Sequence, residues 1–198
     1  MASTCWPTGN TLHVAASGLL SLGCACNGSD RLAEYFKWEG AALAERLGLF
    51  NTRPNDDRSS VYKQWPRDQL VSTSQIAWGA FNWLCAHGQA YGGELAESAP
   101  PFPTPGECRL RAEAYGAVFQ YDKRSRDIDK VFTALSKLRQ IQANIALAYR
   151  APGPGTIADK VPLSYAEEKY NDLLEWASTL DAVVRRQDGS PHFVLILQ

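Results

Sequence analysis

Apolar residues recur at steps of three and four along most of this chain, which is the spacing of one helix face. The pattern predicts helices over residues 12–26, 30–47, 68–91 and 127–149. A further helix is predicted to open at a capping box of Ser164 and Glu167, and another at Ser190 and Pro191. No convincing series of alternating strands accompanies them. The predicted fold class is therefore all-α, a helical bundle of about six helices.

The same pattern predicts which faces are buried. The first helix carries a long apolar run that ends at Asn27 and Gly28, and we expect it to be buried. Gly48 lies where the second helix should end, since the residue after a helix C-terminus favours a left-handed conformation. The face of the second helix that we expect to be buried consists of Leu32, Phe36, Leu43, Ala44 and Leu47.

A loop at 51–66 and two proline-rich segments interrupt the helices. Residues 99–106 contain four prolines, which should exclude helix and enforce an extended path, and we name this segment the strap. Residues 151–162 are interpreted as a linker between two helices because proline and glycine alternate at their start. The apolar run 193–197 lies at the end of the chain and needs a buried position or a partner. We therefore interpret residues 1–198 as a single domain, truncated from a larger one.

Composition excludes several classes of function. The 20 Lys and Arg against 21 Asp and Glu give a net charge of -1, so no basic surface for a nucleic-acid backbone is expected. No apolar run is long enough to span a membrane. The odd count of 5 cysteines is a poor disulfide framework and indicates reduced thiols in a cytosolic or nuclear protein.

Cysteine and histidine offer little catalytic chemistry. Cys24 and Cys26 form a close pair without the second pair that a zinc site needs, so we interpret them as apolar residues of a buried helix and expect no metal or cofactor. Cys85 and His87 are two residues apart, a spacing that points side chains to different helix faces. We expect no enzyme. The basic cluster 123–126 is either a nuclear-import element or phosphate contact, or an ordinary solvated surface.

Aromatic residues of the predicted third helix suggest a different kind of site. Together with the first prolines of the strap they are candidates to line a groove for a ligand or partner, although aromatics at helical spacing are also typical of a core. The candidate groove residues are Trp78, Phe81, Trp83, Tyr91, Pro100 and Pro101.

The order of four motifs resembles a known family. The motifs are LLSLGCACNG at 19–28, AALAERLGLF at 41–50, IAWGAFN at 76–82 and PPFP at 100–103. In this order they are similar to the fungal-specific regulatory (middle homology) domain of zinc binuclear cluster transcription factors. The resemblance covers residues 12–103 and, more loosely, 127–198. It implies an all-helical regulatory domain in which Trp78, Gly79 and Phe81 pack the central helix against the strap.

The resemblance also implies a function. The six-cysteine zinc cluster of that family is missing, so direct DNA contact is not expected from this chain. What the resemblance implies is a nuclear transcriptional regulator of a fungal metabolic pathway. It would act through protein contacts, as a homodimer or a heterodimer with a full-length transcription factor, or through a small-molecule inducer. Two alternatives remain open: a small helical pathway enzyme using the aromatic pocket with Cys85 or His87, and a module that competes with a full-length regulator.

Overall fold

The structure is a computed structural model that describes residues 8–51, 65–91, 96–108, 123–150, 156 and 161–180. Over these residues it contains five helices, a helical turn at 105–108 and no strand, so the all-α prediction is confirmed. None of the described helices combines the length and hydropathy needed to cross a membrane. The helices are α1 (Thr8–Cys26), α2 (Asp30–Arg46), α3 (Arg67–Tyr91), α4 (Lys123–Arg150) and α5 (Leu163–Ser178).

The chain divides into two compact units, Met1–Pro103 and Thr104–Gln198. The division falls inside the strap. The interpretation of 1–198 as one truncated domain stays a prediction. Most of the linker 151–162 and the whole apolar run 193–197 lie outside the described residues.

Two glycines end the first two helices as the sequence predicts. Gly28 and Gly48 have φ of 70° and 65°, the left-handed conformation that a glycine adopts without steric cost. After α1, the Ser29 amide donates to the Cys24 carbonyl at 2.9 Å; after α2, the Leu49 amide donates to the Ala44 carbonyl at 2.9 Å. Both bonds span six residues and belong to Schellman motifs, which satisfy carbonyls that the helix ends leave without partners.

Helices α1 and α2 pack through small and polar residues, and the predicted buried faces are only partly correct. The leucines of α1 are exposed, whereas on the predicted face of α2 Ala44 and Leu47 are buried and Leu32 is exposed. A Cβ atom added at Gly40 of α2 would lie 3.0 Å from the Cβ of Ser17 in α1, and the buried Ser21 hydroxyl donates to the Ala33 carbonyl at 2.8 Å. Small side chains let the two backbones approach closely, and this approach leaves larger residues outside. The large apolar residues that remain exposed on these helices are Leu12, Leu19, Leu20, Leu22, Leu32, Tyr35 and Trp38.

The core of the first unit lies against α3. Its largest fully buried side chains include Leu49 and Phe50, which follow α2, and Phe81 of α3. Asn51 closes this region in a left-handed conformation, with φ of 54°. Its amide nitrogen Nδ2 donates to Glu45 at 2.6 Å, and its Oδ1 accepts from the Ser98 amide at 3.0 Å, so one side chain joins the end of α2 to the residue that precedes the strap.

The strap is irregular from residue 99 to residue 104, with a bend at 101–102, and helical after that. Pro105 and Gly106 belong to the helical turn 105–108, which corrects the prediction that the prolines exclude helix throughout 99–106. The turn opens with a capping box: the Glu107 carboxylate accepts from the Thr104 amide at 2.8 Å and the Glu107 amide donates to the Thr104 hydroxyl at 3.4 Å. Pro105 is tolerated because the amide of the first residue of a helix has no partner within the helix, so a proline there loses no hydrogen bond.

Helix α5 packs against α4 in the second unit. The Trp176 indole donates to the Ala134 carbonyl at 2.9 Å, and the Tyr165 hydroxyl donates to the Asn144 carbonyl at 3.0 Å. The predicted capping box does not form, since α5 begins at Leu163 with Pro162 as its N-cap and Ser164 lies within the first turn.

Candidate functional site

Trp78 joins α3 to the first part of the strap. Its indole nitrogen donates to the Phe102 carbonyl at 3.0 Å, and Ser74, one turn earlier, donates to the Pro103 carbonyl at 2.5 Å. The Trp78 ring also packs edge-on against Phe81, with centroids 5.6 Å apart. In the same part of the strap, Pro100 is buried and Pro101 is half-buried. These side chains fill the space between helix and strap.

The candidate groove residues do not all come together. Trp78 and Phe81 belong to the buried side of α3 just described, whereas Trp83 donates to the Ser21 hydroxyl of α1 at 3.0 Å. Tyr91 is the last residue of α3, and its side chain is outside the part of the protein that the structure describes. Trp83 lines an apolar cavity of about 20 Å³ between α1, α2 and α3. That volume is close to what one water molecule needs, so the cavity has no room for a small-molecule inducer.

A polar cluster of Glu34, Lys37 and His87 connects α2 to α3. Lys37 lies on the buried stripe of α2, and its side chain is 2% exposed. Its ammonium group donates to the two Glu34 carboxylate oxygens at 3.0 and 2.8 Å and lies 3.3 Å from Nδ1 of His87. Nε2 of His87 is 3.4 Å from Glu34. The tautomer that fits both neighbours has Nδ1 accepting from Lys37 and Nε2–H donating to Glu34.

Burial and charge shift two pKa values in the cluster. The hydrogen bond from Lys37 lowers the pKa of Glu34 below its usual 4.5, and the Lys37 charge acts in the same direction. Desolvation lowers the pKa of His87 below 6.5, and the neighbouring Lys37 charge lowers it further. At neutral pH the cluster therefore consists of one ion pair and a neutral imidazole.

This cluster does not follow from the pattern of apolar residues, but the sequence contains one signal for it. Lys37 falls at helical spacing among Ala33, Gly40 and Ala44, so a lysine interrupts a stripe of small residues. A charged residue in such a stripe requires a partner, because an unpaired buried charge is strongly unfavourable. Glu34, three residues earlier on the same helix, is the nearest candidate by spacing.

His87 and the cysteines differ in their burial. The two ring nitrogens of His87 lie 3.3 Å from the Lys37 ammonium and 3.4 Å from the Glu34 carboxylate. Cys85 is fully buried, with an exposure of 0%. Cys26 is exposed and Cys24 half-buried, so the expectation that both lie on a buried helix is wrong. Among the described residues no group of three or more His, Cys, Asp or Glu side chains could hold a metal ion.

The outer face of α5 is both apolar and acidic. Leu163, Tyr170 and Leu174 lie at spacings of seven and four residues, on one face, and are 74%, 62% and 51% exposed. Glu167 lies on the same face. We name these four residues the α5 face.

Lys169, the one cation of α5, is not part of that face. It pairs with Glu168 and Asp172, each at 2.7 Å, and these two hydrogen bonds raise its pKa. The lysine charge is therefore used within the helix. Glu167 and Glu175 remain as exposed carboxylates at and beside the α5 face.

Comparison with known proteins supplies no relative. The chain matches no protein-family model, no curated protein and no solved structure.

Proposed function

We propose that this protein is a helical regulatory module that controls transcription through protein contacts and catalyses no reaction. The observation that carries the proposal is the α5 face, where exposed Leu163, Tyr170 and Leu174 accompany an exposed carboxylate. Exposed apolar residues interspersed with acids are the composition of transcription activation segments, and amphipathic helices commonly dock in the groove of a partner. The partner expected here has an apolar groove with a basic rim.

The order of motifs at 19–28, 41–50, 76–82 and 100–103 supports the same role through its resemblance to the fungal regulatory domain. On this proposal the protein acts in the nucleus, and the partner is a full-length transcription factor or a component that such a factor recruits. The enzyme alternative receives less support, because Cys85 is buried and His87 is held on both sides within the polar cluster.

A tethered reporter tests the proposal. The whole chain is fused to a heterologous DNA-binding domain and expressed in a fungal host with a reporter of intermediate basal output, so that activation and repression are both measurable. We expect reporter output to differ at least about threefold from that of the DNA-binding domain alone, a change that a modest coupling free energy between the chain and its partner would produce. Unchanged output at equal protein level would refute the regulatory role.

Variants locate the effect. Replacing Tyr170 and Leu174 by Ser should return output to the level of the DNA-binding domain alone. Ile128→Ser, which removes one exposed apolar residue from α4, should leave output unchanged. Equal effects of both variants would contradict a role for the α5 face, and circular dichroism of the purified chains verifies that each variant is folded.

A further inference from the structure

Helix α1 presents a regular line of exposed residues. Leu12, Ala16, Leu19, Gly23 and Cys26 follow one another at alternating steps of four and three, and every one of them is exposed. Leu12 and Leu19 are 65% and 70% exposed. We name this line the α1 seam. Steps of four and three form the heptad spacing of helices that pair with another helix along their length.

The α1 seam is complementary to itself. An antiparallel partner centred between Ala16 and Leu19 brings Leu12 opposite Gly23 and Leu19 opposite Ala16. Each large residue then faces a small one, and a side chain added at Gly23 would meet nothing within 4 Å in the present fold, so the space there is open. Leucine side chains fit into the gaps that small residues leave on the partner helix, and twofold symmetry makes each of these contacts twice.

Charge on α1 is also compatible with a second copy. From Thr8 to Cys26 the helix has no Asp, Glu, Lys or Arg, so two copies meet without like-charge repulsion and a charged partner finds no complement. The area is modest. The exposed fractions of Leu12 and Leu19 on the seam, together with those of Leu20 and Leu22 on its two flanks, amount to roughly 400 Å² per copy. This is about half of the ~800 Å² per partner that standard stable interfaces bury.

We infer that this protein forms a weak antiparallel homodimer in which α1 packs on α1 of a second copy along the α1 seam. Interfaces of this small size belong to the weak, transient class, and we expect a dissociation constant of roughly 10–100 µM. The inference does not depend on the transcriptional role, since it rests on the surface of α1 alone.

Sedimentation velocity of the whole chain tests the inference at concentrations from about 5 to 500 µM, which bracket that constant. We expect the wild type to shift from monomer to dimer over this range and Leu19→Glu to remain monomeric throughout. Leu163→Glu replaces a leucine of similar exposure on α5 and should dimerise as the wild type does. A wild type that stays monomeric, or a Leu19→Glu variant that still dimerises, would overturn the inference.

A second variant separates specific packing from general stickiness. Ala16→Leu adds apolar surface, so non-specific association would become stronger. In the proposed register the added side chain collides with Leu19 of the second copy, and the dissociation constant should rise at least about tenfold. Tighter association of Ala16→Leu would contradict the antiparallel packing. Unchanged circular dichroism confirms that the exposed substitutions leave the fold intact.

Discussion

Replacing Glu34 by Gln should destabilise the first unit more than replacing its buried partner Lys37 by Met. The Lys37 side chain is 2% exposed, and its ammonium depends on Glu34 for a compensating charge. Glu34→Gln keeps the shape and removes that charge, leaving a buried ammonium beside His87. Lys37→Met instead removes the buried charge with a chain of similar length, and Glu34 can turn to water because its side chain is 41% exposed.

The two free energies follow from burial. Breaking a fully buried ion pair by removing one partner costs roughly 3–5 kcal/mol. Because Glu34 is partly solvated, its contribution is screened, and we expect Glu34→Gln to cost about 2 kcal/mol. Replacing a buried charge by an apolar residue of similar volume is commonly near neutral, so Lys37→Met should lie within about 1 kcal/mol of the wild type. The double variant should regain most of the loss caused by Glu34→Gln.

Equilibrium urea unfolding at pH 7, followed by tryptophan fluorescence, measures these differences. The signal reports mainly on the first unit, because five of the six tryptophans lie in it, namely Trp6, Trp38, Trp65, Trp78 and Trp83. A loss of about 2 kcal/mol lowers the midpoint by about 1 M if the slope is unchanged. The reasoning is refuted if Lys37→Met is the less stable single variant, or if the double variant is less stable than Glu34→Gln.

Three further predictions concern other parts of the molecule. Burial lowers the pKa of His87 below its unfolded value of 6.5, so the unfolded state binds more protons and stability should fall as the pH drops below about 6.5. Thermal unfolding from pH 7.5 to 5 should show this loss in the wild type and in a His13→Gln control, but not in His87→Gln. Gly106→Ala should destabilise the protein by about 1–2 kcal/mol, because the added Cβ would lie 2.6 Å from the hydroxyl of Thr133. Gly79→Ala should stabilise α3 by about 0.5–1 kcal/mol, because nothing lies within 4 Å of the added Cβ. Urea unfolding of both variants measures these opposite changes in stability. Trp176→Phe removes the indole donor to α4 and should cost about 1 kcal/mol, seen as a lower midpoint in circular dichroism; an unchanged midpoint would mean that the bond contributes nothing to stability.

The helices and two of their ends were predictable from the sequence. A period of three to four residues located α1 to α5 to within a few residues at most ends, and Gly28 and Gly48 marked the ends of α1 and α2 because few other residues adopt the conformation required there.

The buried faces were not predictable from apolar residues alone. Hydrophobic patterning assigns large residues to the core, but α1 and α2 approach each other through Ser17, Ser21, Ala33 and Gly40. Close approach of two backbones selects small side chains, so leucines that hydrophobic patterning assigns to the core lie on the surface. The hydroxyl of Ser21 is tolerated there because it is hydrogen-bonded on both sides, to Ala33 and to Trp83.

The polar contacts between distant segments were also not predictable. Lys37 and His87 are 50 residues apart, and only the folded arrangement of α2 and α3 shows that they meet. The capping box of Thr104 and Glu107 was a local signal, but the density of prolines around it favoured the extended interpretation. Proline excludes helix interiors and is favourable at a first position, so Pro105 alone was compatible with both conformations.

The contacts of Asn51 have a consequence for the order of folding. The bond between its side chain and the Ser98 amide joins residues 47 positions apart, and the chain between them contains all of α3. Closing so long a loop costs entropy that this hydrogen bond does not recover, so the contact becomes favourable only after α3 has docked. The hydrogen bond between Asn51 and Ser98 therefore forms late in folding. The Ser98 amide should exchange its proton with solvent through a local opening that breaks this bond and leaves the helices intact.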